Sequence, residues 1–414
     1  MSVFKPFKAY RPTPKHAKDV ASKPYDVLNS DEARDEVEGN PLSFLHVVKP
    51  EIDLPIGTDP YSREVYLKGK DNFIDLVTKG VFVQDNDPGY YIYRLTMDGR
   101  SQTGIVGCCF YEEYFNDKIK KHELTRIVKE DDRVNHVECL NANAEPVFFS
   151  YRGNESINQL VQDVILNDPL YDFIADDGVK HELWSVSNSE SLSSIENAFK
   201  NVPCLYVADG HHRTAAAARI GKKRKQLNDN HLGTEEYNFF LAVLFPEDQL
   251  KIYDYNRVVK DLNGLTPDEF LNSLSDTFIV SKIEGNDNKP SRLREFSLYI
   301  DSSWYKLLAK EGCWNVDDPV GDLDVTILSE KVLGPILGIT DLRKDNRIDF
   351  VGGIRGLKEL EKRVDSGEMM AAFALYPVSM EQLLKIADAG EIMPPKTTWF
   401  EPKLRSGLFV HDLE

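Results

Sequence analysis

The sequence predicts a mixed α/β fold, α+β in its detail, and three observations predict it. Apolar, β-branched runs such as TGIVGCCF, VPCLYVA and FFLAVLF read as strands. Some of these runs are joined by tight turns and others by helical stretches, so hairpins and crossovers coexist and the sheets must be mixed. The chain has 414 residues, 41% of them hydrophobic, which exceeds one small domain and suffices for a sizeable core.

Residues 1–30 are rich in Pro, Lys and Tyr without periodicity, and are expected to order by contact. Over 58–80, Val65, Leu67, Phe73, Leu76 and Val77 recur near helical spacing and predict a helix. GYYIYRLT and TGIVGCCF flank Asp98-Gly99 and predict a hairpin. A polar stretch, 111–145, separates it from a second hairpin, DFIADDGVKHELWSVS, with Asp177-Gly178 at its tip. A helix is expected over 188–200, and then VPCLYVADGHHRTAAAAR makes a strand–turn–helix unit. FFLAVLF and LKIYDYNRVV read as two further strands.

From about 260 the pattern changes to helix TPDEFLNSLSDTF, strands around FIVSKIE and FSLYIDSSWYKLLA, and helix VTILSEKVLGPIL. RIDFVGG, MMAAFALYP and helix SMEQLLKIADAG follow. The break places one domain at 1–258 and a second α/β domain at 259–414. The polar, proline-rich tail carries Trp399 and Phe400, which disordered tails lack, so it is expected to return to the catalytic centre.

Charge excludes some functions. There are 68 acidic and 50 basic side chains, a formal charge of −18, which repels nucleic acid and anionic membrane. The cluster Lys222-Lys223-Arg224-Lys225 reads as a solvated helix end, and no helix-turn-helix signal is present. Five cysteines without CxxC or HExxH spacing argue against a disulfide framework and structural zinc. The first twenty residues lack an apolar core and no apolar run approaches 18, so a cytoplasmic chain is expected.

Chemistry concentrates in four places. In ADGHHR, 208–213, Asp209 and Gly210 turn the chain into a helix whose first N–H groups point outward and favour an anion. Arg213 adds a planar fork for phosphate or carboxylate, and His211 and His212 add groups that move protons near neutral pH. Asp209 is placed to take a proton or hold a divalent cation. In IKKHELTRIVKEDDR, 119–133, His122, Glu123 and Arg126 fit one helical turn, with Glu130, Asp131, Asp132 and Arg133 in the next two. That density reads either as a solvated helix with internal ion pairs or as a phosphate grip beside carboxylates. The tail MPPKTTWFEPKLRSG offers Lys396, Thr397, Thr398, Lys403 and Arg405, and SKPYDV offers Tyr25 and Asp26 in a loop.

Together and in this order, PYDV (24–27), KHELTR and KEDDR (121–133), ADGHHR (208–213) and MPPKTTWFEPKLRSGL (393–408) resemble a widespread bacterial and archaeal family. That family, long catalogued only as a domain of unknown function, is grouped with the free serine kinases within the ParB/sulfiredoxin-like superfamily. The resemblance runs from end to end of the chain and implies a ParB/sulfiredoxin-like catalytic part. The Asp-Gly-His-His-Arg turn is similar to the phosphate-binding box of ParB-like nucleotidases and serine kinases. What this implies is phosphoryl transfer to the hydroxyl of free L-serine, giving O-phosphoserine for cysteine synthesis, with ADP or inorganic pyrophosphate as donors among relatives. The chain departs from the ParB pattern in its size and in the carboxylate-rich segment 119–133.

Roles are then expected as follows. Asp209, His211, His212, Glu123 and Glu130 are the catalytic candidates. Gly210, His212, Arg213, Lys121, His122, Arg126, Arg133, Lys396, Thr397 and Lys403 are candidates for phosphate. Tyr25, Asp26 and Arg405 are candidates for the acceptor, and Asp209 and Asp132 for Mg²⁺. No GxxxxGK[ST] loop or HRD…DFG set is present, which argues against an ATP kinase of common design. Pyrophosphate needs many cations and no adenine pocket, so the clustered Lys, Arg and His favour it over ADP or ATP. The expected partners are L-serine and the donor, with a homodimer in view. The rival readings are a phosphohydrolase using water and a nucleotide-binding, ParB-like regulatory module.

Overall fold

A computed structural model describes residues 2–285 and 287–414. The chain forms two compact units. One holds the residues up to Leu250 together with Pro402–Glu414, and the other holds Lys251–Glu401. The fold is mixed α/β, with mixed and antiparallel sheets.

The first unit is built on a nine-stranded sheet. Its strands run in the order Ile119–Lys120, Leu205–Asp209, Val147–Tyr151, Phe239–Pro246, Arg100–Phe110, Tyr90–Met97, Lys180–Val186 and Tyr171–Ile174, with Phe4–Lys5 added on Arg100–Phe110. Asp98 and Gly99 both adopt positive φ (50° and 75°), as a two-residue hairpin turn with native strand twist requires. The second hairpin forms as its sequence predicts. Two pairings are parallel: Leu205–Asp209 with Ile119–Lys120, and Val147–Tyr151 with Phe239–Pro246. Leu205–Asp209 runs antiparallel to Val147–Tyr151, and its register shifts between Val207 and Asp209. A bulge of this kind re-aims a side chain, and here it lies one step before the turn that carries Asp209.

The helix His211–Leu227 follows at once. Ala215, Ala216, Ala217 and Ala218 are all buried, because small side chains let a helix lie close against its neighbours. Gly221 extends this: a Cβ there would meet the Tyr111 ring at 2.5 Å. The core between sheet and helices gathers Ile105, Phe149, Phe199, Leu205, Val207 and Ala242. A smaller antiparallel sheet joins Phe82–Gln84, Ala9–Pro12, Val410–Asp412 and Ala142–Asn143, so the second and the last strands of the chain are neighbours.

The second unit holds a six-stranded antiparallel sheet in the order Phe278–Lys282, Ser303–Ala309, Glu295–Ile300, Ala371–Leu375, Tyr255–Val259 and Ile348–Gly352. Its helix Pro267–Leu274 begins with a Thr266–Glu269 capping box.

Two expectations need correction. His122, Glu123 and Arg126 do not share a helical turn. Ile119–Lys120 adds to the sheet edge as a short strand, and the helix begins only at Ile127, after Arg126 in extended backbone. The stretch VTILSEKVLGPIL forms an α-helix only over Asp324–Leu328, and continues as π-helix over Ser329–Leu333.

Candidate active site

Gly210 organises the turn. Its φ is +88°, open to glycine at little cost, and a Cβ there would stand 3.2 Å from the Arg213 Nε. Arg213 therefore folds back over its own helix start. Its Nη1 donates to the Pro146 carbonyl at 2.6 Å, while its Nε has no hydrogen-bond partner. Burial pulls against its charge, but Asp26, Glu145 and Asp209 hold its pKa above the ordinary value.

Arg133 reaches the same place from the helix Ile127–Leu140. Arg133, Arg213 and Glu145 line one cavity. Arg133 is 7% exposed and Arg213 8%, so both guanidinium groups lie inside the protein. The Arg133 guanidinium stacks over the Tyr25 ring, its centre 3.8 Å from the ring centroid, and its Nη2 pairs with Asp132 at 2.9 Å. Its Nη1 makes no hydrogen bond and lies 3.6 Å from the Glu145 carboxylate. Glu145 also accepts from the Tyr25 backbone N–H at 3.2 Å and from the Ser406 hydroxyl at 2.9 Å. Burial raises its pKa, opposed by Arg213 and Arg133.

Asp209 ends the strand before the same helix and is not part of the cavity's lining. The Gly210 N–H and the Lys403 ammonium both donate to it, the latter at 3.0 Å. Burial pushes its pKa up, but Lys403 and Arg213 outweigh that and hold it below the carboxylate range. The histidines supply no positive charge at neutral pH. Burial holds His211 down to about 4 and His122 to about 3, and the two rings meet edge to face at 4.5 Å. Burial also lowers His212, whose Nε2 accepts from the Arg126 backbone N–H at 3.1 Å. That fixes its neutral tautomer, with Nδ1–H left as a donor. The cationic character expected of His-His-Arg thus comes from Arg213, Arg133 and Lys403.

Other named residues lie elsewhere. Lys121 donates to the Tyr114 carbonyl and Asp117. Glu130 accepts from Thr125 and pairs with Arg219 at 3.0 Å. Asp132 accepts from the Tyr66 hydroxyl besides Arg133. The Arg126 side chain is exposed, and Arg405 is committed to Asp177 and the buried His181. Lys396 and Thr397 belong to the second unit, where the Thr397 hydroxyl donates to the Pro394 carbonyl.

Residues 4–326 match the family described as "Protein of unknown function (DUF1015)". The chain belongs to that family. No curated protein matches this DUF1015 chain. Among solved structures it is similar to a free serine kinase in complex with AMP, with 14% identity and a TM-score of 0.39, covering 72% of this chain and 89% of that one. A conserved hypothetical protein from Pyrococcus furiosus shows 15% identity and a TM-score of 0.33, with 72% and 94% covered. SbnI with a C-terminal truncation, from Staphylococcus aureus, shows 12% identity and 0.32, with 74% and 87% covered.

Among the described residues of this DUF1015 protein, no group of three or more His, Cys, Asp or Glu is set to hold a metal, and no helix is long and apolar enough to cross a membrane. The carboxylates of Asp209 and Asp132 already face Lys403 and Arg133. Such a donor set does not make a protein-only cage for a divalent cation.

Glu145 and Ser406 went unnoticed in the sequence. The visible signal was a lone acid inside NAEPVFF, directly before a strand with no polar residue until Ser150. An acid so placed is buried with partners or not at all.

Proposed function

We propose that this chain transfers a phosphoryl group from pyrophosphate to the hydroxyl of free L-serine. The observation that carries this reading is the pair Arg133 and Arg213, two buried guanidinium groups on one cavity, each with an N–H group that makes no hydrogen bond. Forked donors suit a tetrahedral oxyanion, and a dry site makes them strong. Lys403 adds a third cation beside Asp209.

In this reading the serine Oγ attacks the terminal phosphorus of the donor. The bridging P–O bond breaks and its electron pair leaves with inorganic phosphate. Arg213 and Lys403 meet the charge that grows there. Asp209 accepts the hydroxyl hydrogen and orients the nucleophile. Its depressed pKa makes it a weak base, which suffices where the transition state is loose and the proton departs late. Tyr25 and Asp26 face the acceptor. Mg²⁺ enters with the donor phosphates, since it is commonly held by substrate oxygens and one or two carboxylates.

The test is formation of O-phosphoserine by purified protein with Mg²⁺, from pyrophosphate, ADP or ATP in turn, with and without serine. Serine-dependent transfer from pyrophosphate supports the reading. Phosphate release that ignores serine assigns water as acceptor, and nucleotide binding without turnover assigns a regulatory module.

A further inference from the structure

Arg257 lies in the strand Tyr255–Val259, next to the edge strand Ile348–Gly352 of the second unit's sheet, and is 0% exposed. No carboxylate pairs with it among the described residues. One Nη donates to the Tyr255 carbonyl and the other to the Lys396 carbonyl at 3.0 Å, while Nε has no partner. A guanidinium carries five N–H donors, so most of its capacity is unused. A buried ion without a counter-ion costs several kcal/mol, and natural chains avoid that cost unless something offsets it. Burial pulls the Arg257 pKa down to about 10, with only Tyr255 acting against it.

A second cation shares the corner. The Lys396 ammonium sits 5.6 Å from the centroid of the Tyr255 ring and forms no ion pair among the described residues. Tyr255 thus links the two cations, through its ring to one and its carbonyl to the other. The surrounding walls are aromatic. Phe350 is in register with Arg257, and Trp399 meets Tyr255 edge to face at 5.1 Å. Nearby Asp254 does not supply the missing charge. Alternation along the strand sends it to the opposite face from Tyr255 and Arg257, where it holds Lys289 and Asn256.

We propose that the second unit contains an oxyanion-binding site in which the Arg257 guanidinium and the Lys396 ammonium together take a phosphate-class anion, inorganic phosphate or pyrophosphate. Two cations and unused N–H donors call for a compact anion of high charge. A carboxylate ligand would satisfy one fork and leave the ammonium unmet. The site stands on Arg257 and does not depend on serine being the acceptor in the first unit.

The experiment is calorimetric titration of the full chain with sodium pyrophosphate and, separately, sodium phosphate, beside thermal unfolding with and without each anion. Three proteins are compared: wild type, Lys396→Ala and Arg257→Met. Lys396→Ala, at an exposed position, is expected to weaken binding of the preferred anion at least tenfold. Arg257→Met fills the same space without charge. It is expected to unfold no earlier than wild type without anion and to lose the same share of the anion-dependent rise in unfolding temperature that Lys396→Ala loses, the remainder belonging to the Arg133 and Arg213 cavity of the first unit. Wild-type affinity for both anions in Lys396→Ala overturns the proposal. So does an Arg257→Met chain that is less stable than wild type before any anion is added, since the guanidinium would then have a structural task only. Phosphoryl transfer by Arg213 variants is measured separately, so loss of the serine-kinase reading leaves this result standing.

Discussion

Lys403 and Asp209 lie 194 residues apart in sequence, and their side chains meet at 3.0 Å. The tail thereby supplies a cation to the carboxylate that ends the strand before the helix His211–Leu227. Lys403→Met is expected to lower stability by about 2 kcal/mol, the size of a hydrogen bond to a charged group. It should reduce turnover more than donor affinity, because it releases Asp209 from its fixed position. Denaturant melts and a separation of kcat from KM check this. Unchanged kcat would remove Lys403 from the chemistry.

Gly210→Ala tests the turn itself. The substitution forces a side chain into left-handed backbone, at about 1 kcal/mol, and drives a methyl group toward the Arg213 guanidinium. The expected result is a folded protein with a small drop in unfolding temperature and a far larger loss of activity. Equal losses in both would make Gly210 a structural residue only.

Glu145→Ala removes the acid that shares a cavity with Arg133 and Arg213 and pairs with Arg133. Breaking a buried pair in this way typically costs 3–5 kcal/mol. Glu145→Gln keeps the hydrogen bonds to Tyr25 and Ser406 but not the charge, and is expected to be the milder of the two. Equal unfolding temperatures for wild type and Glu145→Ala would contradict the geometry described.

Buried histidines set the acid limit of the fold. Burial holds His122 and His181 to about 3, and His136 and His211 to about 4. Unfolded histidine titrates near 6.5, so below that pH the unfolded chain binds protons that the folded chain refuses. Stability is therefore expected to be full above about 6.5 and to fall from there toward 4, by up to about 1.4 kcal/mol per pH unit for each histidine. Denaturant midpoints between pH 7.5 and 4.5 measure the slope. A flat profile over that range would contradict the neutral histidines.

Local signals made much of this fold legible. Asp98-Gly99 and Asp177-Gly178 mark their turns by backbone chemistry alone, and the Thr266–Glu269 box marks its helix start. The turn at Asp209-Gly210 was visible because an apolar run stops, glycine follows and strong helix formers begin. The segment 119–126 was misread because its charges suit a helix face, whereas the strand Leu205–Asp209, 86 residues later, takes Ile119 and Lys120 into the sheet. The partners of Glu145 were invisible because only packing brings Tyr25, Arg133 and Ser406 to it. The charge state of the histidines was likewise hidden, since burial and not residue type decides it. The wide gap between Lys403 and Asp209 in sequence left no local trace of their pairing.

The most direct test of the account is the rate of O-phosphoserine formation from pyrophosphate and serine by Arg213→Lys, beside its thermal unfolding. The lysine keeps the charge but cannot reproduce the fork that spans the Pro146 carbonyl and the cavity. The account predicts a folded protein whose rate falls about a hundredfold, the usual effect of losing one charge-assisted donor at a transition state. Arg213→Lys that folds and transfers phosphate at the wild-type rate would contradict it.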